Sequence, residues 1–161
     1  DSSTSRGLGD VYKRQANIIA HDPYVPQTTA DLLGVQLVSL EELLKQSDYV
    51  SIHTALTEET RHLINADTLK LMKPTAMLVN TSRGPVIDGD ALASALKSGT
   101  IEAAALDVTE VEPVESHDPL LSLPNVIVTP HLAGFSPTFL EECPIRQAEN
   151  IIRVLLSLIH I

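Results

Sequence analysis

The sequence predicts an α/β fold built on a parallel sheet, and two observations carry that prediction. Short apolar runs alternate with amphipathic helical stretches, which is typical of repeated βα units. The chain has 161 residues, 43% of them hydrophobic, which is enough for one domain with a buried core. The predicted strands, in chain order, are Asn17–Ala20, Val35–Val38, Tyr49–Ile52, Ala76–Asn80, Ala103–Val108 and Val126–Thr129.

Start and stop signals for helices separate these strands. Ser39 and Glu42 have the spacing of a capping box, in which each side chain binds the backbone N–H of the other residue. Gly99 is positioned to end a helix in the left-handed conformation, and Pro144 should kink the last helix. The predicted helices are Leu40–Gln46, Ala66–Met72 capped by Asn65, Asp90–Lys97 capped by Asp88, and a final helix from Ser136 through Arg146 to Leu155.

Composition excludes several classes of partner. The 21 acidic and 11 basic residues give a net charge of −10, which repels phosphate backbones and anionic lipid. We therefore expect no nucleic-acid partner and no membrane partner, and no apolar run reaches the roughly 20 residues that span a bilayer. The single cysteine, Cys143, cannot form an internal disulfide, which fits a reducing cytoplasm. The histidines lack the spacing of metal ligands, so we predict no metal site.

The two ends of the chain are related to each other. The hexapeptides DVYKRQ (Asp10–Gln15) and LSLIHI (Leu156–Ile161) can be encoded by the two strands of one DNA sequence. That sequence resembles an inverted transposon end used in preparing sequencing libraries, so we expect residues 1–15 and 156–161 to be foreign. Gly7 and Gly9 imitate the start of a G-x-G-x-x-G loop, but Tyr12 occupies the third glycine position and no strand precedes them.

Polar residues stand at or just after the carboxyl ends of four of the predicted strands. Ligands of open parallel sheets bind at the carboxyl ends of the strands, where these residues would meet. They supply acids, an arginine and a histidine, a set that suits a small anionic substrate and proton transfer. In chain order they are His21 and Asp22; Thr81, Ser82 and Arg83; Asp107, Glu110 and Glu112; and His131.

Five segments in one order resemble the D-2-hydroxyacid dehydrogenase family, in its nucleotide-binding domain. The resemblance implies a Rossmann-type doubly wound parallel sheet, truncated because the first strand, its glycine-rich turn and the substrate domain are missing. Residues 16–155 would then be a partial NAD-binding domain. The segments are HDPY (His21–Tyr24), SIHTALTEETRHLIN (Ser51–Asn65), LVNTSRGPVIDGDAL (Leu78–Leu92), AALDVTEVEP (Ala104–Pro113) and LPNVIVTPHLAGFS (Leu123–Ser136).

The resemblance implies three catalytic residues. Arg83 matches the arginine that holds the substrate carboxylate, for which a guanidinium offers a planar fork of donors. His131 matches the acid–base residue that exchanges a proton with the substrate oxygen, and imidazole titrates near neutrality. Glu112 matches the acid that binds the other ring nitrogen. Glu110 competes for that role, but the family spacing of five residues after Asp107 selects Glu112.

The resemblance also implies NAD as the cofactor. Asp22 would bind the adenine ribose and favour NAD over NADP; alternatively it is a turn acid preceding Pro23. Asp107 would lie beside the nicotinamide carboxamide or steady the site. The full set of expected cofactor contacts is Asp22, Thr54, Thr81, Ser82, Arg83, Asp107, His131, Leu132, Ala133 and Gly134.

These matches predict an NAD-dependent oxidoreductase that interconverts a 2-oxo acid and a D-2-hydroxy acid. The alternative is a non-catalytic NAD-sensing protein that resembles the corepressors of the same fold. The resemblance further implies a homodimer for the full-length protein. We expect the truncated chain itself to bind NADH weakly and to lack useful activity, since the pyrophosphate-binding turn is missing.

Overall fold

The computed structural model describes residues 16–156 as six strands and five helices in βα order. The glycine pair and almost all of the two predicted foreign segments lie outside the described residues. The strands are β1 (Ile19–Ala20), β2 (Gln36–Leu37), β3 (Tyr49–Ile52), β4 (Met77–Asn80), β5 (Ala103–Leu106) and β6 (Val126–Val128). The helices are α1 (Gln27–Leu32), α2 (Leu40–Gln46), α3 (Ala66–Leu69), α4 (Gly89–Ser98) and α5 (Pro137–Leu155), and 3₁₀ turns cover Gly84–Val86 and Pro119–Ser122.

All strand pairs are parallel, but they form two separate sheets. Strand β1 pairs with β2, and the other four strands pair in the order β3-β4-β5-β6. No strand between residues 16 and 156 bridges β1 and β3.

The predicted caps form, and they explain where the helices begin. The Ser39 hydroxyl accepts the Glu42 N–H, and the Glu42 carboxylate accepts the Ser39 N–H in return. Asn65 forms the same reciprocal box with Thr68 at the start of α3, whereas Asp88 caps α4 by accepting the Ala91 N–H alone. Gly99 ends α4 with φ of 73°, a conformation that costs glycine little.

Some element ends differ from the predictions. Helix α3 ends at Leu69 rather than Met72, because the following N–H groups bond three residues back and Pro74 disfavours further helix. Helix α1 was not predicted, since Pro26 precedes it and makes no side-chain cap. Strand β5 ends at Leu106, because Asp107 turns its carbonyl to the backbone N–H of the His131 loop.

One face of the four-stranded sheet forms the core. Alternate residues of the strands, such as Leu78 and Leu106, share a buried cluster with Leu92 and Leu96 of α4. Fully burying one such leucine contributes about 1.5–3 kcal/mol. The opposite face is more open, since Ile127 is 66% exposed. The core thus fixes the carboxyl ends of β3–β6 at one edge and leaves a cleft beside them.

Helix α5 is the least buried element. None of its residues is buried, although it presents several large apolar side chains to solvent. No helix within residues 16–156 is long and apolar enough to cross a membrane.

Candidate active site

A histidine and a carboxylate meet at the carboxyl edge of the four-stranded sheet. His131 Nδ1 lies 3.0 Å from Glu112 Oε2, and both side chains are partly exposed. The second carboxylate oxygen of Glu112 accepts the Thr109 N–H at 3.2 Å, which holds the acid in place. A carboxylate on Nδ1 fixes the orientation of the ring. Nε2 is therefore the ring nitrogen that is open to a ligand.

His131 adopts a backbone conformation that is unusual for a residue with a side chain. Its φ is 56°, in the left-handed region. Its N–H donates to the Asp107 carbonyl at 2.9 Å and to the Thr129 carbonyl at 3.0 Å, and these contacts hold the turn. Strain of this kind persists only where the surroundings impose it, and it is frequent at functional sites.

The buried carboxylate of Asp107 organises the same loop. Oδ1 accepts the Leu132 N–H at 2.8 Å and the Thr129 hydroxyl at 2.5 Å, while Oδ2 accepts the Ala133 N–H at 2.8 Å. Burial alone would raise the pKa of Asp107. The Thr129 hydroxyl, the two backbone N–H groups and nearby His131 outweigh that effect and lower the pKa below its usual value. Asp107 is expected either to lie beside the nicotinamide carboxamide or to steady the site. Its hydrogen bonds to the His131 loop agree with the second role.

Asn80 holds the neighbouring loop, and sequence reasoning missed it. It ends β4, is fully buried, and donates from Nδ2 to the Arg83 carbonyl at 3.0 Å. Its Oδ1 accepts the N–H and hydroxyl of Ser82 at 3.0 and 2.9 Å. An amide at the last position of an apolar strand was the available signal.

The Arg83 backbone is fixed, whereas its guanidinium is largely free. Nη1 donates to the adjacent Ser82 carbonyl at 2.6 Å, and the residue is exposed. Within the described part of the chain, the guanidinium has no hydrogen bond to His131 or Glu112. The loops that carry Arg83 and Glu112 nevertheless lie side by side, because Arg83 follows β4, Glu112 follows β5, and these two strands pair directly. A ligand that bridges the loops would complete the arrangement.

A cleft of about 290 Å³ runs along this edge of the sheet. Its walls come from the open sheet face and from the loops just described, so it combines apolar surface with a few polar groups, as ligand sites do. The lining residues are Val79, Thr81, Ala105, Leu106, Asp107, Ile127, Thr129, Leu132 and Ala133. Four predicted cofactor contacts, Thr81, Asp107, Leu132 and Ala133, are therefore brought together.

The remaining predicted contacts are not among the residues that line this cleft. Thr54 follows β3, and its buried hydroxyl oxygen has no hydrogen-bond partner among residues 16–156. A buried hydroxyl without a partner is costly, so this atom fits a role in binding a ligand. Gly134 is exposed, with nothing within 4 Å of the position of a Cβ.

Asp22 lies in the two-stranded unit rather than at the cleft. Its Oδ1 accepts the backbone N–H groups of Tyr24 and Val25 at 2.8 and 3.2 Å. These are the contacts of an acid that stabilises a turn, which is the alternative expectation for Asp22. Oδ2 has no partner in the described chain and can still accept hydrogen bonds from a ligand.

The geometry separates the two candidate acids. Glu112 contacts His131, whereas Glu110 Oε1 lies 2.7 Å from Nε2 of a different histidine, His62. The choice of Glu112 over Glu110 as the partner of His131 agrees with these contacts.

Comparison with known proteins gives one consistent result. Residues 11–133 match the family described as D-isomer specific 2-hydroxyacid dehydrogenase, NAD binding domain. The match starts inside the amino-terminal segment that we predict to be foreign, and the boundary at residue 16 stays a prediction.

Relatives and solved structures agree with that match. A glyoxylate reductase of Korarchaeum cryptofilum is 52% identical over 120 residues, which is 74% of this chain and 36% of that protein. A D-3-phosphoglycerate dehydrogenase of Methanocaldococcus jannaschii is 46% identical over 140 residues, 86% of this chain and 26% of that protein. The holo form of D-mandelate dehydrogenase from Rhodotorula graminis superposes with a TM-score of 0.82 at 36% identity, covering 93% of this chain and 44% of that one.

Proposed function

The chain belongs to the D-isomer specific 2-hydroxyacid dehydrogenase family as its NAD-binding domain, and on that premise we propose that the full-length protein interconverts a 2-oxo acid and a D-2-hydroxy acid. The observation that carries the proposal is the contact of 3.0 Å between Glu112 and His131, which stands in the chain between the cleft residues Thr129 and Leu132. The chain spans about a quarter to a third of the two relatives described above, so the activity is proposed for the whole protein.

Arg83 would hold the substrate. Its exposed guanidinium can donate two parallel hydrogen bonds to the substrate carboxylate. Its charge would polarise the substrate carbonyl next to that carboxylate. The backbone contacts from Asn80 support this role, because they fix the base of the side chain and leave the head free. A lysine would supply the charge without the fork.

His131 would move the proton. During reduction, Nε2 donates a proton to the substrate oxygen, and during oxidation it accepts one. Glu112 keeps Nδ1 occupied, so the ring is held in one orientation. Asp107 supports the contact between His131 and Glu112, because it holds the backbone of the loop that carries His131.

The residues at the cleft suit NAD, the cofactor of this family. NADH supplies the hydride when bound, and the chain binds and orients it. Thr54, Thr81 and Ser82 would contact it from one side of the cleft. Leu132, Ala133 and Gly134 would contact it from the other, and Asp22 would bind the adenine ribose through its free carboxylate oxygen.

Two further proposals concern the state of the protein. We propose that the full-length protein is a homodimer, which its mass in solution by light scattering would test. We also propose that residues 1–161 alone bind NADH weakly and have no useful turnover. Micromolar binding of NADH in a fluorescence titration of this chain would contradict the second proposal.

The test of function is a turnover assay on the full-length protein with NADH and glyoxylate, hydroxypyruvate or pyruvate. We expect Arg83→Ala and His131→Ala each to lower kcat/KM by a factor on the order of 10²–10⁴. Arg146→Ala is the matched control, since Arg146 is an exposed arginine whose one side-chain partner among residues 16–156 is Glu142 on α5. Near-normal rates in either site variant would contradict the roles. Binding of NADH without consumption of any 2-oxo acid would instead favour the NAD-sensing alternative.

A further inference from the structure

The turn between Thr109 and Glu112 carries two carboxylates that contact two different histidines. Glu112 contacts His131, as described above. Glu110 Oε1 lies 2.7 Å from His62 Nε2, across 48 positions of sequence. The proposed chemistry uses only the first contact, so the second pair, His62–Glu110, has no role assigned to it.

The Glu110 carboxylate joins three segments of the chain. Its Oε1 contacts His62, and its Oε2 accepts the N–H of Gly89, the first residue of α4, at 3.1 Å. The glutamate itself belongs to the turn that ends with Glu112. One side chain therefore ties the His62 loop and the start of α4 to the segment that carries the catalytic acid.

The segment that leads to Gly89 and the start of α4 begins at Arg83. The 3₁₀ turn Gly84–Val86 follows Arg83 directly, and a Cβ added to Gly84 would lie 1.8 Å from the Thr109 carbonyl oxygen. Three backbone hydrogen bonds join the turn and its exit to the His62 loop: His62 N–H to Pro85 O at 2.9 Å, Ile64 N–H to Val86 O at 3.1 Å, and Asp88 N–H to Ile64 O at 2.9 Å.

His62 is itself held in an unfavourable conformation. Its φ is 51°, in the left-handed region that residues with a Cβ avoid. The Asn65 side-chain amide donates to the His62 carbonyl at 3.0 Å and stabilises this turn. Hydrogen bonds thus fix the backbone of His62 at both its N–H and its carbonyl, and they hold the imidazole in position to contact Glu110.

We propose that His62–Glu110 is a positioning pair that sets the Arg83 turn against the Glu112 turn. The inference rests on the proposed function, in which Arg83 holds the substrate while His131 and Glu112 move the proton. These groups sit on different loops, and productive geometry requires them to be aligned within about 0.5 Å. The pair acts through Arg83 and Glu112, and neither of its members needs to touch the substrate.

The experiment uses the full-length protein and a matched control. The variants are Glu110→Ala, Glu110→Gln, His62→Ala and the double variant. The control is Glu115→Ala, because Glu115 forms a second exposed pair with His117, at 3.0 Å, that touches none of the site residues. Two quantities are measured for each: kcat/KM for the 2-oxo acid and the dissociation constant of NADH.

We expect Glu110→Ala and His62→Ala to lower kcat/KM by about 10- to 100-fold, because a misplacement on the order of 1 Å costs that much. The dissociation constant of NADH should change less than about twofold. Glu110→Gln keeps an acceptor for Gly89 and should restore most of the rate. The double variant should be no worse than Glu110→Ala, and Glu115→Ala should match the wild type. A rate for folded Glu110→Ala within about twofold of the control would overturn the proposal.

A second readout does not depend on activity. In ¹H–¹⁵N spectra of the full-length protein, Glu110→Ala should shift the resonances of Arg83 and of the His131 ring, and Glu115→Ala should shift neither. If the wild type reduces no 2-oxo acid, the proposed function fails while these spectra still decide the inference. Shifts confined to the neighbours of His62 and Gly89 would overturn it.

Discussion

The two carboxylates Asp107 and Asp22 show how differently the two sheets hold their polar groups. Asp107 follows β5 of the four-stranded sheet, is buried, and binds groups that lie 22 to 26 positions along the chain. Asp22 follows β1 of the two-stranded sheet, is exposed, and binds backbone groups only two and three positions away. The first contact requires the folded core, whereas the second requires only a local turn.

This difference separates two kinds of site. At the edge of the four-stranded sheet, buried Asn80 and Asp107 fix the backbones of the loops that carry Arg83 and His131. In the two-stranded unit, Asp22 lies on an exposed turn, and only its Oδ2 has no partner among residues 16–156. Substitutions at the first edge should therefore damage stability and site together, and substitutions at the second should affect binding alone.

Gly84→Ala tests the first region most severely. The added Cβ would lie 1.8 Å from a backbone oxygen and 2.1 Å from a backbone carbon of Thr109, so the Arg83 turn must move away from its neighbour. We expect a loss of about 3 kcal/mol or more in the free energy of unfolding, measured by urea denaturation. Gly134→Ala is the control, since nothing lies within 4 Å of that position. Equal stability of the two variants would contradict the account of the Arg83 turn.

Asp107→Asn tests the buried carboxylate and adds a dependence on pH. The variant loses a charged acceptor and places an amide N–H₂ against backbone donors, so we expect a loss of about 2 kcal/mol in the free energy of unfolding at pH 7. The pKa of Asp107 is lowered in the folded state, by the Thr129 hydroxyl and two backbone N–H groups that outweigh burial. Its stabilisation is therefore complete above the unfolded pKa of about 3.9 and disappears as pH falls through the lower folded value.

The measurement is urea denaturation of wild type and Asp107→Asn between about pH 7 and pH 3. The difference in stability should be constant above about pH 5 and should shrink below about pH 4. A difference that grows on acidification would mean that the folded-state pKa is raised rather than lowered.

Asp22→Ala should have the smallest effect. Because the contacts of Asp22 are local and exposed, we expect the free energy of unfolding to change by less than about 0.5 kcal/mol. In the full-length protein the KM for NADH should rise several-fold and the preference over NADPH should fall, because a carboxylate repels the 2′-phosphate. An unchanged ratio of kcat/KM for NADH and NADPH would leave Asp22 as a turn residue only.

Local signals predicted much of the fold. Apolar runs located all six strands, and the caps at Ser39, Asn65 and Asp88 located three helix starts because capping depends on residues within one turn. Helix α1 escaped prediction because Pro26 provides no side-chain cap. The carboxyl end of β5 was predicted two residues too late, because the Asp107 carbonyl accepts the N–H of His131 from a distant loop.

The site was less accessible from sequence, for the same physical reason. The resemblance supplied Arg83, Glu112 and His131, whose roles stay proposals. Asn80 bonds only two and three positions along the chain, and its one signal was an amide at the end of an apolar strand. The pair His62–Glu110 joins segments 48 positions apart, and such a contact leaves no periodic pattern. Such contacts become visible only when the strand order is known.

The most direct test is a structure of the full-length protein with NADH and oxamate, an analogue of a 2-oxo acid that is not reduced. The account predicts the oxamate carboxylate on the two outer nitrogens of Arg83 and its carbonyl oxygen within about 3.2 Å of His131 Nε2, with Glu112 still on Nδ1. Oxamate bound away from either residue, or a His131 ring turned away from Glu112, would contradict it.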